Sequence, residues 1–187
     1  FYVNTADLSR VPRYGMETLS LHEAEPGHHF QLTIAQELKG IPRYRRYAGG
    51  SVYWEGWALY SESLGKELGV FTDPYQYYGR LSDEMLRAMR LVVDTGLHAK
   101  GWTREQAIAY MLDNSSMSES EIVAEVERYI AWPGQATSYK VGQIRIRAMR
   151  NRAEQALGSR FNLKDFHSQI LLDGALPMDV LDAKINR

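Results

Sequence analysis

A proline interrupts the chain where a helix would otherwise continue. The stretch Leu21–Gln31, "LHEAEPGHHFQ", sits inside apolar spacing of helical period that runs from Met16 to Leu38. Pro26 has no N–H to give the His22 carbonyl, and its ring disfavours helical geometry at Glu25. The helix must therefore bulge or kink. Gly27 adds the freedom for residues to loop out, and the helix can resume at His28.

The chemistry of this stretch depends on that break. In a regular helix, residues four apart differ by about 40° in direction and about 6 Å in height, so His-Glu-x-x-His sets two imidazoles on one ion with a glutamate beside it. Here the position four after His22 is Pro26. On an unbroken helix His28 falls on the opposite face, and His29 lies roughly two turns away. If the break absorbs two residues, His28 takes the second ligand position; if three, His29 does. His28 is the first choice and His29 the alternative. The competing reading is an ordinary turn between two helices, with three polar histidines near the surface.

Composition narrows the other possibilities. At 187 residues and 44% hydrophobic, the chain can bury one substantial core, and residues 1–187 are expected to form a single domain. A net charge of -1 favours neither nucleic acid nor an anionic membrane surface. With no cysteine, any metal must be held by His, Asp or Glu. No apolar run approaches the ~20 residues of a membrane span. The start, "FYVNTADLSR", has neither the basic leader nor the apolar segment of a signal peptide. Phe1–Thr5 reads as a short β-prone edge strand, entered without a start, so the chain is expected to be the C-terminal part of a longer protein with any targeting signal upstream. The compartment is left open.

The rest of the pattern is helical. "PRYRRYAGGS" reads as a connector after Gly40-Ile41-Pro42, and Tyr53–Leu68 as a second helix closed by Gly69 and the turn Thr72–Pro74. A third runs from about Tyr75 to Ala99. Capping boxes at Thr103/Gln106 and Ser118/Glu121 start the next two. A long helix ends at Leu157 with Gly158 as its cap, one shorter helix covers Leu163–Leu172, and Pro177 opens the last. The fold class is mainly α with one short N-terminal edge strand.

"YWEGWALYSE", Tyr53–Glu62, places carboxylates among aromatic and apolar residues. Burying such a charge is costly unless a cation compensates it. Glu55 and Glu62 share one helix face two turns apart, suiting Glu55 as third ligand and Glu62 as an outer partner of a histidine N–H. The alternative is a solvated stripe of glutamates behind packed Trp54, Trp57 and Tyr60.

The pattern Glu-Gly-x-Ala-x-Tyr-x-Glu resembles the second zinc motif of gluzincin aminopeptidases. Together with "LHEAEPGHHFQ", "VVDTGLHAKGWT", "QATSYKVGQ" and "FHSQILLDGALPMDVL", it resembles the C-terminal portion of the bacterial family called domain of unknown function 885. That resemblance spans essentially the whole chain and implies a zincin-like metallopeptidase fold, with a missing N-terminal part packing against this portion.

The implied activity is zinc-dependent hydrolysis of peptide or related amide bonds. Zn2+ is then expected to be held by His22, His28 (with His29 the alternative) and Glu55, with one position left open. Glu23, beside His22, is the expected general base. Tyr139 resembles the tyrosine that steadies the oxyanion in related helical zincins. His98 is a second candidate for that role, oriented by Asp94 one turn earlier, and His167 a weaker one. Phe1–Thr5 and Asn4 are expected to line an extended peptide substrate. Arg145, Arg147, Arg150 and Arg152 read as a solvated or salt-bridged helix face, with one of them available to a substrate carboxylate. The rival reading is a catalytically inactive homologue that binds peptides or a partner and keeps a vestigial or structural metal site.

Overall fold

The computed structural model describes residues 12–186. The expected strand Phe1–Thr5 and the Asn4 contact lie outside them. Among the described residues the chain is helical, with no strand: α1 Met16–Glu23, α2 His28–Glu37, α3 Arg43–Tyr47, α4 Ser51–Glu62, α5 Pro74–Ala99, α6 Arg104–Asn114, α7 Glu119–Ala131, α8 Ser138–Leu157, α9 Leu163–Leu171 and α10 Met178–Ile185.

Local chemistry sets most of these boundaries. Thr103 and Gln106 exchange the two bonds of a capping box at the start of α6, and Ser118 and Glu121 do so at α7. Asp73 and Gln76 form a third box ahead of Pro74, so the turn before α5 is itself a helix start. Gly158 closes α8 at a φ of 54°.

Three expectations are corrected. The connector after Pro42 contains the short helix α3. The helix α4 stops at Glu62 instead of reaching Leu68, because Ser63 turns its hydroxyl onto the Tyr60 carbonyl at 2.5 Å and the backbone tightens to bonds from Ser63 N to Tyr60 O and from Leu64 N to Ser61 O. Pro177 precedes α10 as an extended cap residue, with ψ 139°, and the helix begins at Met178.

Two apolar clusters hold the helices together. Tyr53, Trp57 and Tyr60 of α4 pack with Ile146 and Met149 of α8, Phe166 and Ile170 of α9, and Leu181 of α10. Met89 and Val93 of α5 pack with Ala107 and Met111 of α6 and with Ile122, Val126 and Tyr129 of α7. The Tyr53 hydroxyl, inside the first cluster, donates to the Ile170 carbonyl at 2.9 Å.

The contact that positions the site is the crossing of α4 over α8. A Cβ added to Gly56 would lie 2.5 Å from the Gly142 Cα, and one added to Gly142 would lie 2.1 Å from the Val52 carbonyl oxygen. The backbones touch with no side chain between them, which brings Glu55 on one helix toward Tyr139 on the other. Gly142→Ala is expected to destabilise the protein by about 3 kcal/mol, since the obstructing atoms are backbone and cannot yield cheaply. Urea denaturation checks this; an unchanged midpoint would show that the helices separate without cost.

Candidate metal centre

The break after Glu23 is a four-residue bulge, 24–27, across which the Phe30 N–H still reaches the Ala24 carbonyl at 3.3 Å. α1 closes with the Ala24 N–H on the Ser20 carbonyl at 2.9 Å, and α2 opens with Gln31 N–H on the Gly27 carbonyl at 3.1 Å. The Pro26 carbonyl accepts the Trp57 indole N–H at 2.7 Å, which ties the bulge to α4. Gly27 packs directly on the end of α1: a Cβ there would sit 1.8 Å from the His22 carbonyl oxygen. Pro26 contributes the missing donor and Gly27 the missing side chain, so the bulge packs directly on the His22 carbonyl.

This bulge brings His22, His28 and Glu55 together, with one ligand-capable atom of each lying within 4.8 Å of the others. His28 Nε2 is 3.1 Å from Glu55 Oε2, and His22 Nε2 is 3.7 Å from the same oxygen. The two imidazoles meet edge to face, with ring centroids 4.8 Å apart. Behind them the buried Glu62 carboxylate accepts the Nδ1–H of His22 at 2.7 Å. Neither glutamate lies on a solvated stripe, since Glu62 is 1% exposed and Glu55 16% at the side chain. His29 is exposed and stands apart from the group.

The second wall of the site comes from the start of α8 and the turn before it. Tyr139 is buried and stacks on His22 with ring centroids 6.1 Å apart. Gln135, one turn earlier, donates to Glu55 Oε1 at 3.5 Å and to the Tyr139 hydroxyl at 3.4 Å. Arg128 of α7 donates to that hydroxyl at 3.3 Å, and the Arg90 guanidinium lies 4.6 Å from the centre of the Tyr139 ring. Glu23 ends α1, half-buried, in no hydrogen bond or ion pair among the described residues.

His98 and Asp94 have other work. The His98 Nε2 bonds the Tyr129 carbonyl at 3.0 Å. The Asp94 carboxylate accepts the Gly134 N–H at 2.9 and 3.1 Å, so it steadies the turn before α8 and does not orient His98. His167 accepts the Tyr60 hydroxyl at 2.8 Å, lies edge-on to Trp57 and is not in the metal group. The four arginines of α8 are engaged: Arg145 with Asp179, Arg147 with Ser63, Arg150 with Glu67 and Glu154, and Arg152 with Asp182.

The charges fit a cation. Burial alone would raise the Glu55 pKa, but hydrogen bonds from His22 and His28 outweigh it and hold the carboxyl down to about 2. Burial likewise opposes protonation of His22, yet Glu55 and Glu62 lift its pKa above the ordinary value. Two carboxylates thus draw positive charge onto one imidazole, and Glu62 Oε2 has no hydrogen-bond partner among the described residues. Two nitrogens and one oxygen are a zinc-type donor set. Their contacts of 3.1 and 3.7 Å bracket the roughly 3.4 Å between ligands of a tetrahedral zinc at about 2.1 Å.

Fold and site together define a mainly α protein with a His-His-Glu group capable of holding a metal ion. The chain belongs to the family described as bacterial protein of unknown function (DUF885), whose model matches residues 1–185. No curated protein matches it. Among solved structures, it is similar to a candidate lipoprotein from Colwellia psychrerythraea, with 50% identity and a TM-score of 0.96, over 98% of this chain and 32% of that one. It is also similar to a candidate lipoprotein of unknown function from Shewanella oneidensis, with 29% identity and a TM-score of 0.87, over 96% of this chain and 33% of that one. The chain therefore spans about a third of the length of both.

Sequence reasoning missed Gln135 and Arg128. Gln135 had a signal, because it stands four residues before Tyr139 across a helix start. Arg128 had none, since its contact is made only when α7 meets the following turn.

His167 supplies a test of the packing behind the site. Burial, aided by the nearby Arg150 guanidinium, pushes its pKa from 6.5 down to about 4. The folded protein keeps the ring neutral while the unfolded chain protonates it, so this stability is complete above pH 6.5 and lost as pH falls toward 4. Across that window the wild type should lose more stability than His167→Gln, measured by urea denaturation. Parallel losses would mean that the ring titrates freely.

Proposed function

We propose that the protein is a zinc-dependent hydrolase of peptide or related amide bonds, with His22, His28 and Glu55 holding the ion. The reading is carried by the three-residue group together with the Glu62 carboxylate bonded to His22. Zinc, when bound, supplies a Lewis acid that polarises a carbonyl and lowers the pKa of water to about 7.

The remaining work falls to the chain's own side chains. Glu62 accepts the Nδ1–H of His22, so that the proton which Nε2 would give up to a bound ion is the one facing Glu55. Glu23 follows His22 directly and is unengaged among the described residues, which leaves its carboxylate able to take a proton from water and pass it to the leaving amine. The Tyr139 hydroxyl accepts from Arg128 and Gln135, so its own proton is available to a developing oxyanion. Activity is proposed of the full-length protein, with a peptide as substrate and the remaining part of the protein packing against this portion.

In the full-length protein, Glu23→Gln should retain zinc by metal analysis and lose peptide hydrolysis by about 10²–10⁴-fold. Unchanged hydrolysis would remove Glu23 as the base, and absence of zinc from the wild type would leave a binding protein in place of an enzyme. Glu62→Gln should weaken zinc affinity about 10–100-fold in a competition titration with a chelating dye, through loss of the charge behind His22. Undiminished affinity would confine Glu62 to a packing role.

A further inference from the structure

Beside the metal group stands a cation that the surrounding protein does not fully balance. Arg128 lies in the last turn of α7 with its side chain 37% exposed. Its Nη2 donates to Gln135 Oε1 at 3.1 Å and to the Tyr139 hydroxyl at 3.3 Å. Its one carboxylate neighbour among the described residues is Glu125, with Oε1 3.5 Å from Nη1.

That carboxylate is already committed. Glu125 Oε2 receives Arg90 Nη2 at 2.7 Å, Arg90 Nε at 3.1 Å and the Tyr129 hydroxyl at 2.5 Å. One carboxylate therefore faces two guanidiniums. Arg90 is buried, so the uncompensated charge is presented to solvent by Arg128.

The same contacts lead to the metal group. From Arg128 they run through the Tyr139 hydroxyl and Gln135 Nε2 to Glu55 Oε1, in steps of 3.3, 3.4 and 3.5 Å. This span is no longer than about three residues of extended chain, at ~3.3–3.6 Å each. A guanidinium is shaped to hold a carboxylate through two parallel N–H donors.

We infer that Arg128 binds the C-terminal carboxylate of a peptide, so that the scissile bond falls within the last few residues. The cleavage part of this inference rests on the proposed hydrolase reading; the recognition part does not. Arg128 also touches Tyr139, and a role confined to positioning that hydroxyl would affect all substrates alike. The two roles separate when the peptide's terminal charge is varied.

The test uses the full-length, zinc-loaded protein carrying Glu23→Gln, and measures calorimetrically the binding of one short peptide as free acid and as C-terminal amide. The acid should bind about 10–100-fold more tightly, and adding Arg128→Gln should bring the two affinities together. Arg128→Lys, which keeps the charge without the fork, should restore part of the preference and guards against misfolding of the glutamine variant. Equal affinities in the Arg128 protein, or a preference that survives Arg128→Gln, would overturn the inference. If the protein with Glu23 intact hydrolyses neither peptide while the acid preference stands, the hydrolase reading fails and the carboxylate site survives it.

Discussion

Gly27 lies against the carbonyl of His22 so closely that no side chain can be accommodated there. Everything at the centre depends on this contact. It lets α1 and α2 meet end to end across four residues, and so sets two imidazoles six positions apart face to edge over one carboxylate. Proline alone would only end a helix. Proline followed by a residue without Cβ lets the chain bulge against the end of the helix it has just left and resume a helix beyond it.

The helix α4 receives what the bulge delivers. Its Trp57 bonds the Pro26 carbonyl, its Glu55 meets both histidines, and its Glu62 holds His22 from behind. These three side chains are spaced along a helix whose other faces pack on α8, α9 and α10. The carboxylates are thus buried among aromatics by helical geometry, and the interior they occupy is polarised by the ionic groups they face. On the opposite wall, Tyr139 is braced by Arg90 on its ring and by Arg128 and Gln135 on its hydroxyl.

Much of this was legible from residue type and spacing. Pro26-Gly27 announced the break, the capping residues Thr103, Gln106, Ser118 and Glu121 announced their helices, and Glu55 and Glu62 were assigned to one helix face from their separation. The choice between His28 and His29 was not legible, because it depends on how many residues the break absorbs, and the structure brings His28 into the group. Asp94 was misread for a tertiary reason. Its spacing from His98 suits a side-chain pair, but the backbone N–H of Gly134 arrives from another part of the chain and takes the carboxylate. The early end of α4 was hidden in Ser63, whose hydroxyl competes for a carbonyl within its own turn. The α4–α8 crossing was present as two single glycines, each unremarked until the other helix is laid across it.

The bulge at residues 24–27 also bears on how proteins of this kind are found. A pattern search keyed to the regular four-residue interval between histidines passes over this chain, since that interval ends on an imino acid. What identifies the architecture is His-Glu followed by two free positions, then Pro-Gly-His, with the glycine as invariant in principle as the ligands because the backbone ahead of it leaves no volume. A homologue with any other residue there would have to abandon the end-to-end meeting of its two helices, whatever donor atoms it retained.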